Sequence, residues 1–466
     1  MRSTLSLSLV ALLAAGALEA QTPITVTNAD DSGDGSFRSA LEQAAQSGKP
    51  SRIVILTGGD IALDTGLVYD GQAAVEIIGK GQTIILGADE TLLTASQGAN
   101  LSITDLTFEG PGGFSIENRS DSGGGKGIFI DVRDDQEGEV RLTLDTVTVR
   151  GVSGHGIHVS DCSLADDCGA GAGGAGEGSA AALVADLTDV TVENVGTGAF
   201  DRDGLRLDER GAGDIHATLR RSSFTRVGAD GVELDEGGPG NVSVTALNST
   251  FSDNGFYCDP DLMGQYLPDE PEGEFAQGDM QEADIPGPVK GTPDDACIER
   301  SVYTYDDGSV EEYEFALDLD DGFDIDEADE GTLDILVIGG EVNGNLDEGM
   351  DMDESGDGDL VAAYVGTSAS GNTDDGYKHS ESDGGAVLGL LSDASATGNG
   401  GAGFAYEEED AGDLTFEATD VTTSGNDDGE TAFDLVQEDD GRGTATITGG
   451  EITEEIEAEG VNVSRN

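Results

Sequence analysis

A phrase of the form acid-Gly-apolar-x-apolar-acid returns along this chain at a fixed offset. It reads Asp203-Gly204-Leu205-Arg206-Leu207-Asp208, and then, 27 residues on, Asp230-Gly231-Val232-Glu233-Leu234-Asp235. Three more copies at the same offset are Asp321-Gly322-Phe323-Asp324-Ile325-Asp326, Glu348-Gly349-Met350-Asp351-Met352-Asp353 and Asp375-Gly376-Tyr377-Lys378-His379-Ser380. Fainter copies begin at Lys126, His155, Ala402 and Glu459. A fixed period of this size means a solenoid whose units bury their apolar faces only against their neighbours. The apolar residues alternate with period two between Gly, Asn and Asp, which is a strand pattern and not a helical one. Each repeat holds a second strand, such as Ile215-His216-Ala217-Thr218-Leu219, and a shorter third one, such as Phe251-Ser252-Asp253. Between the first two lies an acidic, Gly-rich stretch that reads as a turn, as in Asp208-Glu209-Arg210-Gly211 and Asp353-Glu354-Ser355-Gly356. Three short strands and three turns fill one coil of a parallel β-helix.

The first 20 residues have the form of a secretory signal peptide, with Arg2 ahead of an apolar run from Leu5 to Ala17. Residues 21–466 then read as one elongated domain, since a solenoid adds core as fast as it adds surface. No other apolar run is long enough to span a bilayer. Four cysteines in an exported chain are expected to pair. Sequence position favours Cys162–Cys168 and Cys258–Cys297, each clamping a local excursion from the stack. Those excursions, about 160–180 and about 257–300, interrupt the repeat. The second carries six of the ten prolines and, with its flank, five of the nine tyrosines, which suits the wall of a substrate cleft.

The net charge of −75, from 96 acidic and 21 basic residues, excludes nucleic acid and anionic membrane as direct partners. Stacked coils put equivalent carboxylates about 4.8 Å apart, where two charges repel by roughly 0.9 kcal/mol even at the dielectric of water. Such ladders need screening, protonation or bound cations. Two readings stay open: the dense acidic surface of a salt-loving organism's protein, or a protein loaded with a divalent cation.

The chain resembles the secreted right-handed parallel β-helix proteins of the pectate-lyase-like superfamily over roughly Thr22 to Asn466. An N-terminal phrase, Asp31-Ser32-Gly33-Asp34-Gly35-Ser36-Phe37-Arg38-Ser39-Ala40-Leu41 followed by Ile53-Val54-Ile55, adds to the likeness. The resemblance implies an all-β, single-stranded solenoid whose open end is covered by a short helix. Ser36 is a suitable N-cap, and Phe37, Ala40, Leu41 and Ala44 share one face. It also implies a carbohydrate partner outside the cell, while the same fold serves lyases, hydrolases, epimerases, adhesins and phage spikes.

In apolar-x-apolar the middle residue points outward, so stacking makes an outer column of Phe129, His158, Arg206, Glu233, Asp324, Asp351 and Lys378. Beside it run Asp208, Asp235, Asp326 and Asp353, and then Asp203, Asp230, Asp321 and Glu348. Asp203, Asp208, Asp230, Asp235, Asp321, Asp324 and Asp326 are the expected cation ligands, with Ca²⁺ the suited ion because it takes six to eight oxygens in loose geometry. Uronan-acting members of the superfamily use Ca²⁺ to neutralise a carboxylate while Arg, Lys or His removes the C5 proton. The resemblance makes Arg206, Lys378 and His158 the candidates here, although no lyase signature matches residue by residue. Two functions follow: a secreted or cell-surface protein that binds carbohydrate or serves a structural, adhesive role, or a Ca²⁺-dependent polysaccharide lyase or related uronan-acting enzyme.

Overall fold

The structure, a computed structural model, describes residues 23–121, 123–162, 178–271, 273–439 and 441–466. Segment 1–20, expected to be a signal peptide, lies outside them. About 48% of the chain is strand and 7% helix, so the all-β class holds. Each coil contributes one strand to a sheet of twelve and two to a sheet of 23, counted among the described residues. One coil, for example, supplies Leu205–Glu209 to the smaller sheet and Ile215–Arg220 and Ser223–Val227 to the larger. All pairings between coils are parallel, and the fold is a right-handed β-helix.

Pairing runs in step with the sequence repeat. Leu205 faces Val232, which faces Phe323, which faces Met350. Every apolar position therefore becomes an internal column. Phe224 stacks on Phe251 at 5.7 Å between ring centroids, and Tyr377 on Phe404 at 4.9 Å. Each side chain so buried contributes about 1.5–3 kcal/mol. Helix α1, Phe37–Ser47, closes the N-terminal end as expected. The Ser36 hydroxyl accepts the Ser39 N–H at 3.2 Å, and Phe37, Ala40, Leu41 and Ala44 are buried against the first coil.

Two corners of the coil hold polar columns inside the stack. In the first, Asn254, Asn345, Asn372, Asn399 and Asn426 are at most 2% exposed. The backbone N–H of Asn345 donates to Asn372 Oδ1 at 3.1 Å, and that of Asn372 to Asn399 Oδ1 at 3.2 Å. Asparagine suits this place because its side chain both donates and accepts. The second column is a correction to the sequence reading. Glu209, Glu236, Glu327, Glu354, Glu381 and Glu408, which read as turn acids, point inward and are at most 1% exposed. They stack in register, one per coil, and Gln437 follows them.

The second excursion is an ordered unit. A Cys258–Cys297 disulfide closes it, as expected, with Cα atoms 5.5 Å apart. An antiparallel hairpin of Ile298–Thr304 and Val310–Leu317 returns the chain to the stack. Its tyrosines mostly pack within the unit. Tyr257 is buried and donates to Asp294 Oδ2 at 2.8 Å, and Tyr313 stacks on Phe275. Cys162 is buried and disulfide-bonded; Cys168, the partner expected for it, lies outside the described residues. Among the described residues no helix is long and apolar enough to cross a membrane.

Asn372→Ala removes the middle of the asparagine column, leaves the Asn345 N–H without its acceptor and leaves the Asn345 side-chain amide only the Phe251 carbonyl. Chemical denaturation should show a loss of about 1–3 kcal/mol, the cost of stranding buried polar groups.

Candidate functional site

The outer face of the twelve-stranded sheet carries the columns the repeat implies. Phe129, His158, Arg206, Glu233, Asp324, Asp351 and Lys378 follow one another in register. They differ from expectation in exposure, because His158, Arg206, Glu233 and Asp351 are all less than a tenth exposed. The sequence implied a solvated face, whereas ion pairing between coils has closed much of it.

Arg206 shows how. Its Nε donates to Asp208 at 2.7 Å and its Nη1 to Asp201 at 3.0 Å and Asp203 at 3.3 Å. Glu233 and Asp235 take the remaining contacts, and Arg210 donates to the same Asp235 oxygen at 2.7 Å. Burial opposes the Arg206 charge, but Glu233, Asp208 and Asp235 outweigh it and hold the guanidinium well above its ordinary value. Lys378 is similarly held. Burial works against it, yet Asp351 at 2.6 Å and Glu348 at 3.1 Å raise its pKa above the usual lysine value. Neither group is poised to take up a proton. His379, in the inward position next to Lys378, stacks on Tyr406 at 4.1 Å and bonds the Tyr364 hydroxyl at 2.7 Å.

His158 sits in a different environment. Its Nε2 lies 2.5 Å from Asp208 Oδ2, and its Nδ1 is bonded by the ammonium of Lys126. Burial, and next the Lys126 charge, keep His158 well below the usual histidine range, so it is a neutral imidazole. Asp208 is held ionised, since Arg206 and His158 outweigh the burial that would raise it. Lys126 lies 4.1 Å over the Phe129 ring, half-buried at the rim of this group. Burial first, and Arg202 and Arg206 after it, bring its pKa down to about 8 against the pull of Asp208. His155 packs 4.6 Å from His158 and accepts the Asp203 N–H at 3.1 Å. Among the described residues Arg202 makes no ion pair; its guanidinium donates to the Asp201 carbonyl.

The sequence reading missed Lys126, though a signal existed. Lys126 and His155 stand immediately before the repeat glycine, where Asp203, Asp230, Asp321 and Glu348 stand in later coils. A base therefore replaces an acid in one column at the N-terminal coils.

Of the acids expected to hold a cation, Asp203, Asp230, Asp321 and Asp324 belong to groups whose oxygens converge within 4.8 Å. Those groups are Asp201, Asp203 and Glu233; Asp230, Glu233 and Asp324; Asp321, Asp324 and Asp351; and Asp321, Asp347 and Glu348. Asp208 and Asp235 instead bond Arg206, Arg210 and His158, and Asp326 is in none of the four. The group of Asp321, Asp324 and Asp351 fits Ca²⁺ best, because Asp351 Oδ1 is buried and has no hydrogen-bond partner. Burial, then the neighbouring carboxyls, raise all three well above the ordinary carboxylate range. Burial and mutual repulsion thus favour their neutral forms, and among the described residues only Asp351 of the three has a cation, Lys378, in direct contact.

Beside the face, two adjoining cavities of about 350 and 340 Å³ share Phe114, Thr197 and Phe256. They put one side of the disulfide-closed unit at a groove, with Phe256 42% exposed there.

No protein-family model matches the sequence. No curated protein matches it either. Among solved structures, the chain is similar to the A-module of a mannuronan C-5 epimerase from Azotobacter vinelandii: 14% identical, covering 95% of this chain and 97% of that one, TM-score 0.46. A Geobacillus virus E2 protein is 9% identical over 89% of this chain and 60% of its own, TM-score 0.45. A pectate lyase, Pel9A, is 12% identical over 96% of this chain and 78% of its own, TM-score 0.35.

Arg206→Met should destabilise the protein by about 3–5 kcal/mol at neutral pH, because it removes the cation from a buried carboxylate group. Acidification protonates those carboxyls, so the deficit in denaturation free energy against wild type should shrink at pH about 5.

Proposed function

We propose that the chain is an exported protein whose twelve-stranded face takes an acidic polysaccharide and removes the C5 proton of a uronate, with Lys126 as base. The observation that carries this reading is the Lys126–His158–Asp208 chain, in which each group touches the next and only the first lies at the surface. A lysine brought down to about 8 is partly neutral near physiological pH, the condition a general base needs. The neutral amine takes the C5 proton, and the C–H electron pair moves into the substrate carboxylate as an enolate. The resulting ammonium is held by His158 Nδ1, and Asp208 holds the opposite nitrogen and fixes the ring. The enolate then expels the C4 oxygen, forming a C4–C5 double bond as water protonates the leaving oxygen, or it regains a proton at C5 from water on the other side. Arg202, next to Lys126 and outside any ion pair among the described residues, is placed to meet the substrate carboxylate.

A polyuronate approaching a chain of charge −75 is repelled unless that charge is reduced. Protonation of the buried acids removes part of it. Asp321, Asp324 and Asp351 would hold Ca²⁺, which supplies positive charge to a uronate carboxylate when bound. They lie three to four coils from His158, about 14–19 Å along the face. A cation there would therefore tether a polymer lying across several coils, away from the reacting sugar. One observation favours binding without turnover, namely the closed ion-pair group of Arg206 beside the base.

Incubation with pectate, alginate and glycosaminoglycans, with and without Ca²⁺, separates the two. Turnover should appear as unsaturated-uronate absorbance or as deuterium uptake at C5 in D₂O. It should rise with pH through about 8 as Lys126 loses its proton, and fall about 10²-fold or more in Lys126→Ala. Polymer binding with neither product nor exchange would establish the binding role and remove the catalytic one.

The cation assignment is checked separately by melting. A ligand bound only by the folded chain stabilises it by about 2.7 kcal/mol at a hundredfold excess over Kd. Millimolar CaCl₂ should raise the midpoint beyond NaCl of equal ionic strength, and Asp351→Asn should abolish the difference. Because Ca²⁺ displaces protons, the gain should grow with pH. Coinciding midpoints would leave the acidic face as a salt-adapted surface.

A further inference from the structure

The glutamate column inside the stack takes no part in the outer site, and its chemistry is unusual for a protein core. Glu327, Glu354, Glu381 and Glu408 lie one above another in register, at most 1% exposed. One oxygen is accounted for in several of them: Glu381 accepts the Gly385 N–H at 2.6 Å, and Glu408 accepts that of Gly412. The other points along the column. Glu381 Oε2, Glu408 Oε2 and both oxygens of Glu327 and Glu354 are buried with no N–H or O–H to accept from. No Lys, Arg or His is among the groups that shift these carboxyls. Glu354 feels only Glu327 and Glu381; Asp329 adds to Glu327, Asp359 to Glu381, and Asp410, Asp413 and Asp439 to Glu408.

We propose that this column is a proton store, in which Glu354 stays protonated at neutral pH, donates its one O–H to the stacked carboxylate of Glu327 or Glu381, and sets an alkaline limit on the fold. A proton between two stacked carboxyls converts a repulsive pair into a charge-assisted hydrogen bond. The next position of the column carries the uncharged analogue of a protonated glutamate. Gln437 Oε1 accepts the Leu414 N–H at 2.8 Å, and its Nε2 donates to the Gly412 carbonyl at 3.4 Å. The space is shaped to one carboxyl. A Cβ added at Gly385 or Gly412 would lie 2.6 Å from the Oε1 of Glu381 or Glu408, and one at Gly441 the same distance from Gln437 Nε2.

The direction of the titration agrees. Burial, then Glu327 and Glu381, push Glu354 up to about 10, while Glu327 and Glu381 rise only to about 7. A carboxyl raised in the folded state contributes stability that is complete below its unfolded value and is lost as pH climbs through the folded one. For Glu354 that window runs from the ordinary glutamate range up to about 10.

The test is denaturation of the whole chain from about pH 5 to about pH 10, in molar NaCl with chelator, for wild type, Glu354→Gln and Gln437→Glu. Each proton held by the folded chain alone makes unfolding about tenfold more favourable per pH unit. Glu354→Gln should match wild type near pH about 5, lose one such tenfold step per unit and so be the more stable chain at the alkaline end; an unchanged slope overturns the proposal. Should Glu354→Gln not fold, Gln437→Glu still decides, because it extends the column and should lower the alkaline midpoint. A midpoint equal to that of wild type overturns it. Infrared spectra at neutral pH should show a protonated-carboxyl band that weakens in Glu354→Gln. Its absence from wild type, with stability following K⁺ or Na⁺ concentration at fixed pH, would assign the column to cations and overturn the proton store.

Discussion

Parallel pairing without slip places every residue on its counterpart one coil away, at about 4.8 Å. That spacing determines what each position of the repeat can hold. For Leu, Val or Phe it is a van der Waals contact, and repetition improves the core. For Asn it is a hydrogen bond, because each side chain accepts from one neighbour and donates to another. For a carboxylate it is a repulsion of about 3.5 kcal/mol at an effective dielectric near 20. A chain with 96 acids must therefore relieve that repulsion wherever acids share a column.

Three different reliefs are present. At the N-terminal coils of the outer face, one guanidinium lies among five carboxylates, and Arg210 supports it from behind. Two and three coils on from Arg206, Asp321, Asp324 and Asp351 have, among the described basic residues, only Lys378 paired with them, so relief there depends on protons or a cation. Inside, where no base reaches, protons alone can serve. The first relief lasts while its carboxylates stay ionised, Asp235 being pushed up to about 7 by burial. The other two couple the fold to pH and to divalent ions.

What the sequence disclosed and what it hid follow from the same geometry. The coil, the outer columns, α1 and the Cys258–Cys297 closure were legible because each depends on period or on local spacing. Burial of the outer column was not, since the pattern shows which side a residue faces and not whether neighbours close over it. The inner glutamates were misread because Asp-Glu followed by Gly resembles a turn. A repeated Glu-x-x-x-Gly, from Glu209 and Gly213 to Glu408 and Gly412, was the available signal. It recurs in six successive coils, a regularity that a solvated turn would not require. The candidate cation group was only half legible: Asp321, Asp324 and Asp351 all stood in the expected columns, but only the first two were expected as ligands, and Asp351 is distinguished by a buried oxygen without a hydrogen-bond partner.

Departure from a repeat is more informative about chemistry than the repeat itself. The position before the repeat glycine is acidic in Asp203, Asp230, Asp321, Glu348 and Asp375, and several of those carboxylates accept the backbone N–H of the next coil. That is a structural use, and it explains why the acid recurs. Lys126 cannot perform it, and His155 performs it only by accepting the Asp203 N–H with a ring nitrogen. Both substitutions fall in adjoining coils, beside the one outer-column histidine, and the three side chains pack together. Stacking needs none of them to be basic. Lys126 and His155 stand where later coils carry carboxylates, and with His158 they bring two imidazoles and an amine into contact, a group chemically able to pass a proton.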